Sequence, residues 1–312
     1  MDAYILNSEA MKSLNIVICT IARKENLYIR EWVDYHLSIG FSHIYIFDNN
    51  REGEERVSEV LGEYYGGLVT IVPLHNMDYP QMWVYEEFYK NYDFDWVAFI
   101  DIDEFITFCK AFKSISGFIS SIPEDFDAVY LNWMCFGDNG NLDITDKGVL
   151  ERFDTPLPYG YAVYNLFGKN PLNNTVKTIV RNGADYVPAT PHTGTGTFRV
   201  CNSLFMEINR DNPFQSHTFE NCYIRHYISK TIGEYISQKL RRGVVDGPNT
   251  KYSTWMFFKF NRVTISKLRY RAKLLKQYGI QETFPNFKWW VRHFVEWYVI
   301  LPLFSNTKMF RK

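Results

Sequence analysis

Trp96-Val97-Ala98-Phe99-Ile100-Asp101-Ile102-Asp103-Glu104-Phe105 decides how this 312-residue chain is read. Its first five residues form an apolar run with β-branched and aromatic members, which reads as a buried strand. Three of the next four are carboxylates. In an open α/β sheet, ligands gather beyond the carboxyl ends of strands, so Asp101 and Asp103 stand where chemistry is expected. Two residues apart in extended backbone, they point the same way and suit one hard cation, which would in turn grip a diphosphate. The same letters also read as a solvated turn or a cap. Asp93-Phe94-Asp95 repeats the spacing at the amino end of that strand, the wrong side for a ligand. Position after the strand, not spacing, separates the two.

Outward from this stretch, strands and helices alternate. Residues 14–20 read as a first strand, followed by a helix over 26–39 with Ile29, Trp32, Val33 and His36 at helical spacing and Gly40 as its C-cap. Ile44-Tyr45-Ile46-Phe47 is a second strand ending at Asp48. A helix with Val57, Val60, Leu61 and Tyr64 follows, then a strand at 68–72 and a helix at 81–91. This alternation predicts an α/β fold with a mostly parallel, Rossmann-like sheet flanked by helices. Neither Gly-x-Gly-x-x-Gly nor a Gly-Lys-Ser/Thr loop follows the first strand, which disfavours a standard dinucleotide or P-loop site. Further strands are expected at 128–133, 175–181, 197–208 and 221–227, and a helix over 229–242 closed by Gly243.

A hydrophobic content of 46% and an aromatic share of 18% exclude a disordered chain. The five cysteines are widely spaced and form no Cys-x-x-Cys, so neither zinc nor a disulfide framework is signalled. Met1-Asp2-Ala3-Tyr4 lacks a basic n-region, which argues against a secretory signal and for a cytoplasmic protein. Residues 251–312 carry 13 Lys/Arg against Glu282 and Glu296, a net of +11 in a chain whose total is −1. The reading is therefore a domain over 1–250 and a basic, aromatic helical tail over 251–312, with helices near 262–278 and 286–301. The apolar run that ends at Phe304 is too short to span a bilayer, which takes about 20 residues. The tail reads either as a contact with an anionic membrane surface or as a helix packed on the domain with a solvated basic face. No reader motif accompanies the charge, so nucleic acid is not an expected partner.

The segments Ala22-Arg23-Lys24-Glu25-Asn26, Tyr28 to His36, Ile46-Phe47-Asp48-Asn49, Trp96 to Phe105, Asn132 to Gly137, Lys177 to Arg181 and Ile224 to Lys230 occur in order. Together they resemble glycosyltransferase family 92 (DUF23-like, related to family 2, with a GT-A fold) over about residues 14–245. The resemblance implies metal-dependent transfer of a sugar from a nucleotide donor, UDP with galactose foremost, to a glycan or lipid-linked acceptor in surface polysaccharide synthesis. It implies Asp101, Asp103 and His226 as ligands of Mn²⁺ or Mg²⁺. Thr20, Ala22, Arg23 and Asp48 fall on the nucleoside side, and Asp101 and Lys230 on the donor phosphates. Inversion then needs a base facing the acceptor, for which Asp138, Glu104 and His192 are the candidates; Asp138 reads equally as an Asx-turn residue. Two other readings remain: a nucleotidyltransferase on the same metal site, and a catalytically silent glycan-binding or membrane-scaffold protein.

Overall fold

The computed structural model describes residues 14–62, 66–74, 76–157, 172–241, 252–300 and 302. Residues 1–4, Tyr64, Arg242, Gly243 and Phe304, on which parts of the sequence reading fell, lie outside them. The first half alternates as expected: β1 (Ile16–Ala22), α1 (Asn26–Ser38), β2 (His43–Asp48), α2 (Val57–Leu61), β3 (Val69–Pro73), α3 (Gln81–Asn91) and β4 (Trp96–Phe99). β3, β2, β1 and β4 lie side by side, all parallel. Both faces of this half are covered, which is why its strands read as unbroken apolar runs. Ile16 and Ile18 of β1 face Ile29, Trp32 and Val33 of α1, whereas Val17 and Cys19 face Val84, Tyr85 and Phe88 of α3. Gly40 ends α1 at a φ of 98°, a conformation that a side chain would strain.

The second half is mixed. β5 (Glu104–Phe108), α4 (Ile115–Ile119), β6 (Ala128–Cys135), α5 (Val149–Arg152), β7 (Val176–Arg181), β8 (Val187–Pro188), β9 (Gly194–Thr195), β10 (Val200–Cys201) and β11 (Cys222–His226) follow in the chain. β7 runs antiparallel between β4 and β6, β11 lies parallel to β6, and β5 closes the edge antiparallel to β11. β4 and β5 are thus four steps apart in the sheet yet joined through Ile100 to Asp103. Four steps of about 4.8 Å span roughly 19 Å, more than this short turn reaches comfortably, so the sheet curls around it. The strand expected over 197–208 is only the two residues of β10, because Asn202 folds the chain back by accepting from the amides of Leu204 (2.9 Å) and Met206 (3.1 Å).

α1 straps β5 into place. The Trp32 indole donates to Glu104 O (2.7 Å), and the Tyr35 hydroxyl donates to Ile106 O (2.7 Å). His36 faces Trp32 O through Nδ1 (2.8 Å) and accepts the Ile106 amide on Nε2 (3.3 Å). Burial lowers the His36 pKa to about 3, so the ring is neutral and suited to one donor and one acceptor role.

After β11 the chain enters α6 (Ile232–Glu234) and runs on into a π-helical turn over Tyr235–Leu240. Thr231 and Glu234 form a capping box, and Glu234 also takes both Arg152 nitrogens (2.8 and 2.7 Å) and the Tyr28 hydroxyl (3.1 Å). The helix expected over 229–242 is therefore shortened at its start. The tail folds as α7 (Thr254–Phe260), α8 (Ile265–Gln277) and α9 (Phe287–Phe294), the last continued by a π-helical stretch over Val295–Ile300. Trp255, Phe257, Phe258, Leu274 and Leu275 pack against Ile232, Tyr235 and Ile236. Among the described residues no helix is long and apolar enough to cross a membrane.

Both partners of the Arg152–Glu234 pair are buried, with side chains 3% and 2% exposed. Glu234→Ala is expected to strand the guanidinium and reduce unfolding free energy by about 3–5 kcal/mol in a denaturant titration. The double variant Arg152→Met/Glu234→Leu should recover most of that loss.

Candidate active site

Beyond the carboxyl ends of β1, β4, β6 and β11 lies a cleft of about 590 Å³. Its walls include Arg23 and Asn49 from the β1 and β2 ends, Asp101 and Asp103 from the turn after β4, and Trp133 and His226 from β6 and β11. His192 enters from the loop between β8 and β9, Tyr235 and Lys239 from the π-helical turn, and Met256 and Phe260 from α7. Wide helical turns of this kind recur at functional sites.

The two aspartates differ in surroundings. Asp101 accepts from Gln81 Nε2 on Oδ1 (2.9 Å) and from Lys177 Nζ on Oδ2 (2.7 Å). Lys177, on β7 and fully buried, also lies 3.4 Å from Glu104 Oε2, and that oxygen accepts the Asp101 amide (2.9 Å). Burial first, and then the charges of Asp101 and Asp103, push the Glu104 carboxyl well above its usual range despite Lys177. Glu104 thus locks the turn from beneath and does not line the cleft, which removes it from the candidate bases. Its carboxylate meets the same lysine as that of Asp101, because the chain turns at Ile102 and Asp103 and does not stay extended.

Asp103 faces His226 Nε2 and Lys239 Nζ, each at 3.7 Å. Burial opposes its ionisation, but His226, Lys239 and Lys230 outweigh burial and hold the carboxyl well below the ordinary value. Burial lowers the His226 pKa, against the pull of Asp103. The His226 ring lies on Trp133, with centroids 4.0 Å apart, and neither His226 Nδ1 nor Trp133 Nε1 has a hydrogen-bond partner among the described residues. Among the described residues no three His, Cys, Asp or Glu side chains converge as a ready metal cluster. Asp103 and His226 come together, while Asp101 is turned to Gln81 and Lys177. An open carboxylate beside an imidazole nitrogen nevertheless suits a divalent cation that leaves positions for ligand oxygens.

His192 is the expected base that the fold does bring to the cleft. Its Nδ1 lies 2.9 Å from Val176 O, and its ring meets Trp133 edge-on at 5.2 Å. Burial and then Lys177 lower its pKa to about 4. The neutral ring therefore donates from Nδ1 and keeps a lone pair on Nε2.

Three other expectations are corrected. Asp138 is not in the cleft: it closes an Asx turn on Gly140 N (2.9 Å) and pairs with Lys267 of α8. Asp48 is buried, and both its oxygens are occupied, by Asn50 (amide 3.0 Å, side chain 2.7 Å) and by the Val57 amide at the start of α2 (3.0 Å). It caps α2, and its neighbour Asn49 reaches the cleft instead. Lys230, at a φ of 50°, packs over the Tyr28 ring at 4.1 Å outside the main cleft, which Lys239 lines instead. Arg23 lines the cleft and is held by Glu54 through two bonds of 3.1 Å. Thr20 and Ala22 are buried in β1 behind that wall, Thr20 with its hydroxyl unpartnered. Sequence reading missed Lys177, Gln81, Lys239 and the α7 residues. Gln81, Lys177 and Lys239 stood in elements it had marked, but only Lys177 in one of the segments that carry the resemblance.

Comparison with known proteins bears out the family resemblance over part of the chain. Residues 13–140 match the model of glycosyltransferase family 92, a shorter stretch than the motifs implied. A family 92 protein of Oryza sativa subsp. japonica is 27% identical over 179 residues, 55% of this chain and 30% of the relative. One of Ricinus communis is 25% identical over 196 residues, 57% of this chain and 34% of the relative. The match thus spans about a third of the length of these curated relatives. Among solved structures, S. aureus TarS 1-349 aligns over 91% of this chain and 80% of its own, with 11% identity and a TM-score of 0.39. Mannosyltransferase PcManGT from Pyrobaculum calidifontis, in complex with GDP-Man and Mn²⁺, aligns over 39% and 36%, with 11% identity and a TM-score of 0.32.

The lowered His192 pKa carries a stability consequence. The unfolded chain takes up this proton below about pH 6.5 and the folded chain only near 4, so stability is full above 6.5 and is lost as pH falls between the two. The loss attributable to this residue is at most about 3 kcal/mol. Denaturant titrations at pH 7, 5.5 and 4.5 should show His192→Gln losing less stability on acidification than the parent.

Proposed function

We propose that this chain, whose residues 13–140 match glycosyltransferase family 92, transfers a sugar from a nucleotide-sugar donor to a hydroxyl of a glycan or lipid-linked acceptor. The donor is UDP-linked, with galactose as its sugar, and the stereochemistry inverts. The setting is surface polysaccharide synthesis on the cytoplasmic face of a membrane. The observation that carries the reading is Asp103, ionised beyond the carboxyl ends of the strands with His226 and Lys239 on either side.

The nucleoside end of the donor fits the β1 and β2 side, between Arg23, Asn49 and Tyr79. The diphosphate then reaches Lys239, a point charge suited to a phosphate oxygen. Mn²⁺ or Mg²⁺, held by Asp103, His226 and a lone pair of Asp101, would supply Lewis-acid charge at the leaving phosphate. Imidazole in that set favours Mn²⁺. The acceptor occupies the opposite end, by Trp133, His192 and the α7 residues Met256 and Phe260. His192 Nε2 takes the acceptor proton as the oxygen attacks the anomeric carbon, and the departing electron pair goes to the donor phosphate near Lys239. Trp133 orients both rings, since His192 and His226 contact its indole.

A donor screen with and without Mn²⁺, following nucleoside diphosphate release, tests this. Asp103→Ala is expected to lower kcat/KM by about 100-fold or more, and His192→Gln to lower kcat by about 100-fold with donor KM unchanged. Equal release by Asp103→Ala and the parent would refute the mechanism, and release of pyrophosphate would point to nucleotidyl transfer instead.

A further inference from the structure

The last helix presents two unlike faces. Trp289, Trp290 and His293 turn inward: both tryptophans contact Trp255, and His293 accepts the Val263 amide at 3.2 Å. Trp297 also packs against the core. Outward instead stand Phe287 (82% exposed), Val291, Phe294 (58%), Val295, Tyr298 and Val299, with Phe284 (73%) just before them. Their spacing of three and four residues makes one apolar stripe along the helix.

Among the described residues of this stretch Lys288 and Arg292 stand against a single acid, Glu296, and by sequence residues 251–312 carry a net of +11. Glu296 is buried and accepts from Arg292 Nε at 2.7 Å, so among the described residues of this helix no acidic side chain is displayed. A stripe about 20 Å long and about 10 Å wide offers roughly 200 Å², far below the ~800 Å² per partner of a stable protein interface. A second copy would moreover bring the same excess of positive charge. Bulky apolar side chains on a basic helix that is too short to span suit the headgroup boundary of an anionic bilayer.

We propose that the Phe287–Val299 face lies on an anionic lipid surface, with the inward tryptophans fixing the helix to the protein rather than to the bilayer. The same helix packs on Trp255 of α7, whose Met256 and Phe260 line the cleft. Docking therefore sets the acceptor end of the cleft beside the bilayer, where a lipid-linked hydroxyl would be presented. The lipid contact stands independently of the catalytic reading; only the choice of acceptor rests on it.

Flotation of the full chain with phosphatidylcholine vesicles, with and without 30% phosphatidylglycerol (the composition chosen), tests the contact without any turnover. The parent is expected to float with anionic vesicles and to be released by high salt. Phe287→Ser/Phe294→Ser should bind at least fivefold less, with an unchanged melting curve. Trp290→Phe, on the inward face, should bind as the parent does. Failure of the parent to bind either vesicle, equal binding by the double serine variant, or a stable dimer that the same two substitutions dissolve would overturn the proposal. Catalytic failure of Asp103→Ala with intact flotation would separate this contact from the fate of the enzyme reading.

Discussion

The buried ammonium of Lys177 is the constraint on which the site depends. It sits on β7, inserted antiparallel between β4 and β6, and reaches the two carboxylates that bracket the turn from β4 to β5. That turn must carry the chain from the middle of the sheet to its far edge within a few residues. Lys177 holds it by charge from below, and α1 holds its exit through Trp32, Tyr35 and His36. Burying a lysine is unfavourable unless it is paired, and here the pairing keeps it charged: burial lowers its pKa, but Asp101 and Glu104 more than compensate, leaving it raised. The position of Asp103 in the cleft follows from this anchored turn.

Much of the first half was legible in the sequence because local periodicity and position agree there. Four parallel strands, their helices and the Gly40 cap all follow from apolar runs, helical spacing and a glycine where the backbone needs one. The aspartate pair was legible because it follows a strand. The partners of that pair were not. Lys177 lies about 75 residues further along the chain, and nothing in an apolar strand flanking a lysine tells whether its charge is buried beneath the sheet or solvated. Asp48 misled for a related reason: an acid after a strand looks the same in sequence whether it meets a ligand or caps the next helix, as its bond to the Val57 amide shows it does.

The tail was legible as helices but not in its role. α7 went unread because Phe257, Phe258 and Phe260 are apolar on more than one side, with no stripe to mark an amphipathic helix. It is covered from both directions, by the α6 region on one side and by the last helix on the other. Asn261 just after it accepts the Asp138 amide at 2.7 Å and donates to Ser229 at 2.9 Å. Lys267 completes the contact by pairing with Asp138. An acid that sequence placed near the acceptor is thereby the post on which the tail is fastened.

The two aspartates that opened the reading are not equivalent. Asp101 has both oxygens engaged by groups of the fold, one by Gln81 and one by Lys177, so its charge is largely answered before any ligand arrives. Among the described residues the Asp103 carboxylate meets the more distant His226 and Lys239, at 3.7 Å, and it stays ionised although half-buried. A motif of two like residues thus divides into a carboxylate held by short bonds to the fold and one with only longer contacts among the described residues. The division follows from the turn: the residue between them, Ile102, is buried in the core, while the cation beneath pairs with the first carboxylate. Asp103 is thereby left facing His226 and Lys239 across the cleft, while Asp101 is tied to the fold beside it.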